Sequence, residues 1–315
     1  MRSTTSQASM AVMMVRPITF GFDEQTAATN TFQNETSLSQ AEVRGRAVEE
    51  FDKAVAELRT HGIKVVVFED QDRKPKPNAV FPNNWLSMWP DGHIFWYPMA
   101  TESRRVERSF AALTELAKDF DINEVTNLSA AEDSGVYLES TGVMIFDHEH
   151  KIVYGCISPR CDEQLLNMHA ATLGYKPIVF HAYNTDSIAI YHTNVLMGVQ
   201  TTTAVVCADT IFDPAERKQV LSSLQETGHD VVLITQEQMN AFCGNVLELQ
   251  NEQGELFLAM SRTAYDAFTE EQREILSRDK TLIPLSIPTI ETIGGGSVRC
   301  MLAEVFLPEL QRSLD

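Results

Sequence analysis

The chain is poor in the features that mark several large functional classes. Its 315 residues carry 25 lysines and arginines against 44 aspartates and glutamates, for a formal net charge of -19. Nucleic acids and anionic membranes are held by basic surfaces, so neither is expected as a partner. No apolar run reaches the roughly 18 residues a membrane span needs, and the N-terminus has no apolar signal-peptide core. There are five cysteines, an odd number, scattered and without a CxxC pair. Cys156 and Cys161 have no second pair to complete a zinc site, and free thiols in a cytoplasmic, reducing compartment are the simplest account. No phosphate-binding glycine loop is present: Gly294-Gly295-Gly296 fits neither the dinucleotide nor the P-loop spacing. No low-complexity tract or Pro/Ser/Gly-rich linker interrupts the chain, so residues 1–315 read as one domain. With 43% hydrophobic residues, that domain can bury a substantial core.

What is present is an alternation. Val43, Ala47, Phe51, Val55 and Leu58 recur at helical spacing over 41–60, and the β-branched run 63–68 reads as a strand. Ala79–Trp85 leads through a Pro90-Asp-Gly92 turn into a strand at 93–97, followed by a helix over 105–120. Residues 136–146 and 151–157 read as a hairpin and 161–173 as a helix. Strands are expected at 188–197 and 204–207, with a helix at 214–227. Strand segments 244–249 and 255–260 precede a helix at 270–278, and 283–287 and 298–306 close the series. A strand–strand–helix–strand unit thus repeats about five times, at roughly 60 residues each, and such units usually stack or close into a ring. A doubly wound sheet is the alternative, but hairpins are too frequent for it.

Chemistry enters with Cys300 in Gly294-Gly-Gly-Ser-Val-Arg-Cys300. Three consecutive glycines let a backbone bend sharply or approach a ligand closely. A thiol behind such a loop, with Arg299 adjacent to favour the thiolate, is a candidate nucleophile. A nucleophilic cysteine needs a base, and the base needs an orienting carboxylate. His192 ends an apolar run, where a hydrogen-bonded core histidine is the competing reading. Glu139 likewise interrupts an apolar run, and carboxylates are rarely buried without a task or a partner. His148 and His150 fall in the turn Asp147-His-Glu-His150 and read as a solvated hairpin tip rather than a metal site.

Taken in order, Phe81-Pro-Asn-Asn-Trp85, Tyr97-Pro-Met-Ala-Thr-Glu-Ser-Arg-Arg105, Leu138-Glu-Ser-Thr-Gly142, Ser158-Pro-Arg160, His192-Thr-Asn194 and Gly294–Cys300 resemble the successive active-site motifs of the guanidino-group-modifying, or pentein, superfamily. That superfamily includes arginine deiminase, dimethylarginine dimethylaminohydrolase and amidinotransferases, and the nearest branch is that of the citrulline-utilization hydrolases. The resemblance covers essentially the whole chain. It implies an α/β propeller of fivefold pseudosymmetry with the active site in its central channel, in agreement with the repeat count. It implies Cys300 as nucleophile, His192 as general acid/base and Glu139 as its carboxylate partner. It further implies Arg104 and Arg160 as holders of a substrate α-carboxylate, where the bidentate guanidinium fork suits the task. For Arg104, with Arg105 and Arg108, a solvated helix start is the alternative. Asn83 joins the substrate contacts through its motif, and Asn30 through the segment 20–33, which by resemblance forms part of the pocket wall.

One departure carries information about substrate. Where deiminases of the superfamily place aspartates against a cationic guanidinium, this chain has Asn84 and, relative to arginine deiminase, Asn194. A carboxamide offers a donor and an acceptor but no charge, so it complements a neutral ureido group better than a guanidinium. The expectation is therefore a C–N hydrolase that converts citrulline to ornithine, ammonia and carbon dioxide through a cysteine-bound intermediate. No metal or organic cofactor is required for that chemistry, the partner is a small molecule, and a homo-oligomer is left open. The alternatives are an arginine deiminase or dihydrolase, a dimethylarginine hydrolase, an amidinotransferase, and a non-catalytic propeller that only binds.

Overall fold

A computed structural model describes residues 6–72 and 74–311. Its fifteen strands form five three-stranded sheets, and every sheet has the same internal order. The first closes the chain on itself: β1 (Ala11–Val15) lies between β2 (Lys64–Phe68) and β15 (Ala303–Val305). The second contains β3 (Leu86–Met88), β4 (His93–Trp96) and β5 (Glu124–Asn127), and the third β6 (Met144–Asp147), β7 (Ile152–Cys156) and β8 (Lys176–Phe180). The fourth contains β9 (Met197–Val199), β10 (Thr203–Val206) and β11 (Asp230–Leu233), and the fifth β12 (Leu247–Gln250), β13 (Leu256–Ser261) and β14 (Thr281–Leu285). In each sheet the middle strand pairs antiparallel with one neighbour and parallel with the other. A parallel pairing needs a crossover, and helical segments supply it between the second and third strand of every unit. This is the fivefold α/β propeller, with the N- and C-terminal strands completing one blade together.

The crossover helices follow ordinary sequence rules. Gln40–Thr60 starts at Ser39, whose side chain accepts from the Glu42 N–H while Glu42 returns a bond to the Ser39 backbone. Its buried residues are Val43, Ala47, Phe51, Ala54, Val55 and Leu58, one stripe at helical spacing. Asp162 caps Glu163–Leu173, and Asp213 caps Pro214–Glu226. The expected helix over 105–120 is instead two pieces, Glu102–Arg105 and Phe110–Leu116.

The apolar runs expected as single strands are divided in the structure. Within 136–146, Ser140–Val143 is one turn of helix and only Met144–Asp147 is strand. Within 188–197, Thr193–Leu196 is helical before β9, and within 298–306, Val298–Met301 is helical before β15. The hairpin after β6 is also more buried than expected. His148 is only 5% exposed; its Nδ1 lies 2.7 Å from the Tyr175 hydroxyl and its ring stacks on Phe146. Burial pushes His148 down to about 3, so it is a neutral core histidine rather than a solvated tip. Among the described residues no helix is long and apolar enough to cross a membrane.

Candidate active site

The segments entering the first strand of each sheet converge, and they carry the candidate residues. Pro82–Asn84, Ser140–Val143, Thr193–Leu196 and Val298–Met301 are single helical turns before β3, β6, β9 and β15. Glu139 and His192 stand at the N-caps of the second and third of these turns, and Cys300 lies within the fourth. Ser140, directly after Glu139, adopts φ +43°, an uncommon conformation for a residue with a side chain.

Glu139 is fully buried, and its Oε2 lies 2.7 Å from His192 Nε2 and 3.4 Å from an Arg160 terminal nitrogen. Its other oxygen accepts from the Ala100 N–H at 3.0 Å. Burial would raise this carboxyl, but Arg160, His192 and Arg104 outweigh it and hold it far below the usual carboxylate range. An ionised carboxylate only accepts, so the His192 proton sits on Nε2 and leaves Nδ1 as a base. Burial pushes His192 down to about 4, with Arg160 and Arg104 adding to the effect and Glu139 opposing it. At neutral pH the imidazole is uncharged. Gly142 is required beside it, because a Cβ there would collide with Asn84 Nδ2 and approach His192 Nδ1 to 3.1 Å.

The two arginines are buried ion-pair partners, not a solvated helix start. Arg104 Nε and one terminal nitrogen grip Glu107, the latter at 2.8 Å. The other terminal nitrogen donates to Asn84 Oδ1 at 2.6 Å. Burial works against its charge, yet Glu107 holds the guanidinium above its ordinary value. Most of the Arg104 donors are thus engaged within the protein, and one visible consequence is a fixed Asn84. Arg160 donates to the Thr26 carbonyl and the Thr29 hydroxyl, lies over the Tyr191 ring, and leaves its Nε without a partner.

Cys300 is surrounded by carboxamides. Asn194 Nδ2 lies 3.5 Å from its Sγ, and Asn245 Nδ2 lies 3.3 Å away. Arg299, expected to favour the thiolate, faces elsewhere: it donates to Glu304 at 2.8 Å and to the Leu302 carbonyl. Adjacent residues of a helix point in different directions, which the sequence neighbourhood concealed. The other four cysteines are buried structural thiols; burial pushes Cys156, Cys207 and Cys243 up to about 12 and Cys161 well above its ordinary value. Asn30 donates to the Gly295 carbonyl at 3.1 Å, and the Tyr191 hydroxyl donates to the same oxygen at 2.9 Å. Asn83 faces a different way from Asn84 and bonds Thr141, pinning one entry turn to the next.

Cys300, His192, Asn84, Arg104, Arg160 and Asn30 share one cavity with the glycine triplet. Its free volume is ≈ 10 Å³, on the scale of a single water. Gly294 and Gly296 abut Phe81, and Gly295 adopts φ +64° against Asn30 and Gln33, so each glycine is where a side chain would not fit. Asn84 Nδ2, Asn194 Oδ1 and Asn78 Oδ1 are buried around the site without hydrogen-bond partners. Buried polar atoms are rarely left so, and two of these residues, Asn84 and Asn78, line the cavity. Asn78 and Asn245 escaped the sequence reading. Asn245 had a usable signal, since Asn245-Val-Leu247 repeats Asn194-Val-Leu196 one blade later.

Residues 16–307 match a family model described as "N,N dimethylarginine dimethylhydrolase, eukaryotic". Comparison with curated protein sequences finds no match. Among solved structures, ArgZ, an arginine dihydrolase from the ornithine-ammonia cycle in cyanobacteria, is similar with a TM-score of 0.73 at 14% identity. The alignment covers 96% of this chain and 41% of ArgZ, so the chain spans about two fifths of that protein's length. The N-terminal domain of ArgZ, a Cys-to-Ser mutant bound to substrate, gives 0.72 at 14% identity over 95% of this chain and 99% of the domain. A His-to-Gly dimethylarginine dimethylaminohydrolase in an adduct with S-methyl-L-thiocitrulline gives 0.62 at 13% identity, over 94% of this chain and 99% of that one. At such identities the likeness is one of fold.

Proposed function

Because the chain belongs to the family described as "N,N dimethylarginine dimethylhydrolase, eukaryotic", we propose that it is a cysteine-dependent C–N hydrolase whose substrate is the ureido amino acid citrulline. The observation that carries the substrate choice is the state of the polar atoms around Cys300. The carboxylate oxygens of Glu139 and Glu107 are engaged by His192, Arg160, Ala100 and Arg104. Apart from the Arg160 Nε, the unengaged groups are neutral: a donor, Asn84 Nδ2, and two acceptors, Asn194 Oδ1 and Asn78 Oδ1. A ureido group carries one carbonyl acceptor and several N–H donors, and it brings no charge to be desolvated.

In this reading the Cys300 thiol passes its proton to His192 Nδ1 and the thiolate attacks the ureido carbon. His192 returns the proton to the departing nitrogen, leaving a thiocarbamate on sulfur, then takes a proton from water as that water attacks the same carbon. The C–S bond breaks, the thiol is restored, and the carbamate released decomposes, so that ornithine, ammonia and carbon dioxide result whichever nitrogen leaves first. Arg160, with its unpartnered Nε, suits the substrate α-carboxylate, and Arg104 acts chiefly by fixing Asn84. The whole of 1–315 serves as a single catalytic domain without metal or organic cofactor.

A second reading, arginine dihydrolase, is favoured by the fold shared with ArgZ and by local charge. Glu139, Glu107 and Asp23 outnumber Arg104 and Arg160 among the buried residues here, which suits a cation. Mass-spectrometric product analysis with citrulline, arginine and dimethylarginine offered separately tests both. Ornithine from citrulline alone supports the first reading; ornithine or citrulline from arginine, with citrulline inert when supplied, overturns it.

A further inference from the structure

We propose that Asn245 is the positioning residue of the nucleophile: its carboxamide holds Cys300 Sγ in the attacking state and fixes Asn194 beside it. The proposal deepens the reading of Cys300 as nucleophile and rests on it. Asn245 is fully buried, and its Nδ2 donates to the Asn194 backbone carbonyl at 3.0 Å while lying 3.3 Å from Sγ. A carbonyl oxygen only accepts, so that bond fixes which end of the amide is nitrogen and directs an N–H donor toward the sulfur. Its Oδ1 lies 3.7 Å from the same sulfur. One amide therefore meets both protonation states: the thiol has a long contact to an oxygen, whereas the thiolate accepts from two carboxamide nitrogens, those of Asn194 and Asn245. Hydrogen bonds to a charged acceptor are the stronger kind, so the pair favours the thiolate.

The backbone that presents Asn245 is built for that placement. Phe242, a bulky residue, adopts φ +64°, and its carbonyl accepts from the Asn245 N–H at 2.9 Å. At Gly244 the chain runs so close to Val195 and Leu196 that a Cβ would collide with their backbone. Backbone strain and close approach of this sort are retained where the surrounding structure has a reason to hold them. Here they press the turn before β12 against the turn that bears Asn194. The inner turn of this blade thus contributes Asn245, as the other four contribute Asn84, Glu139, His192 and Cys300.

The test is the ultraviolet thiolate titration of the substrate-free protein, read as the difference from Cys300→Ser, so that it stands whatever the substrate proves to be. Asn245→Ala is expected to raise the Cys300 titration by about 1–2 pH units, a 10- to 100-fold loss of thiolate at fixed pH. Asn245→Asp, similar in shape but an acceptor carrying charge, is expected to raise it further. With substrate, kcat of Asn245→Ala should recover as pH rises past the shifted titration, which a merely structural defect would not produce. A titration unchanged in Asn245→Asp, with the variant folded by its circular dichroism, overturns the proposal. If citrulline proves inert but the titration shifts, the substrate reading fails and the role of Asn245 stands.

Discussion

The polar groups in and behind the cavity fall into two sets, one ionic and one amide. On the ionic side Arg104 is locked to Glu107, and Glu139 is shared by His192 and Arg160. Apart from the Arg160 Nε, these groups are engaged by one another or by neighbouring backbone and side chains. On the amide side Asn84, Asn194 and Asn245 surround Cys300 with groups that carry no charge, and two of their atoms have no partner. On the proposed reading, charge in this site fixes geometry and protonation state and holds the substrate α-carboxylate, while the neutral side reads the group that Cys300 attacks.

That division can be broken at several points, with effects of decreasing size. Replacing the sulfur, Cys300→Ala, removes the covalent route and should lower kcat by at least about 10⁴-fold in an ornithine-release assay, with the fold unchanged. Glu139→Gln keeps the shape but replaces the acceptor-only carboxylate that sets the His192 tautomer with an amide that can also donate. A fall in kcat of about 10³–10⁴-fold is expected from steady-state kinetics, as when other buried tautomer-setting carboxylates are neutralised. Glu107→Gln leaves the Arg104 charge buried without its partner and should destabilise the protein by about 3–5 kcal/mol in urea titration. On the amide wall, Asn84→Asp introduces the missing charge and should move the ratio of kcat/KM values toward arginine by about 10–100-fold.

A separate effect is one of pH. His192 is held at about 4 against an ordinary 6.5, so the unfolded chain binds a proton there that the folded protein does not. Its contribution to stability is complete above about pH 6.5 and is lost as pH falls toward 4. His148, at about 3, and His169, at about 4, act in the same direction. Tm should therefore decline from pH 7 to pH 4 by calorimetry. Replacing His169 alone by Gln should flatten that decline, whereas an unchanged slope would remove it from the account.

The scaffold was far more legible than the machinery. Gln40–Thr60 was readable because a long amphipathic stripe with a capping box states its own length and inner face. The fivefold repeat was readable because each unit spells the same order of elements. The third strand Glu124–Asn127 was faint: it is mostly exposed, so no alternating pattern marks it. The entry turns were hidden for another reason. Four residues of helix followed by three or four of strand, nearly all buried, present one run, and periodicity cannot separate the two. Cys300, His192 and Glu139 nonetheless stood out, as polar groups in apolar surroundings and through their ordered motifs. Asn245 did not, because it was absorbed into the strand expected over 244–249, which in the structure begins only at Leu247. The orientation of Arg299 was unreadable, since adjacency along the chain says little about direction in space.

The most direct measurement is the ratio of kcat/KM for citrulline to that for arginine, determined on the same unmodified protein with ornithine as the common product. A carboxamide wall that reads a neutral ureido group predicts a ratio above about 10. A ratio below one, with arginine the better substrate, would contradict the claim that the neutral wall selects what Cys300 attacks.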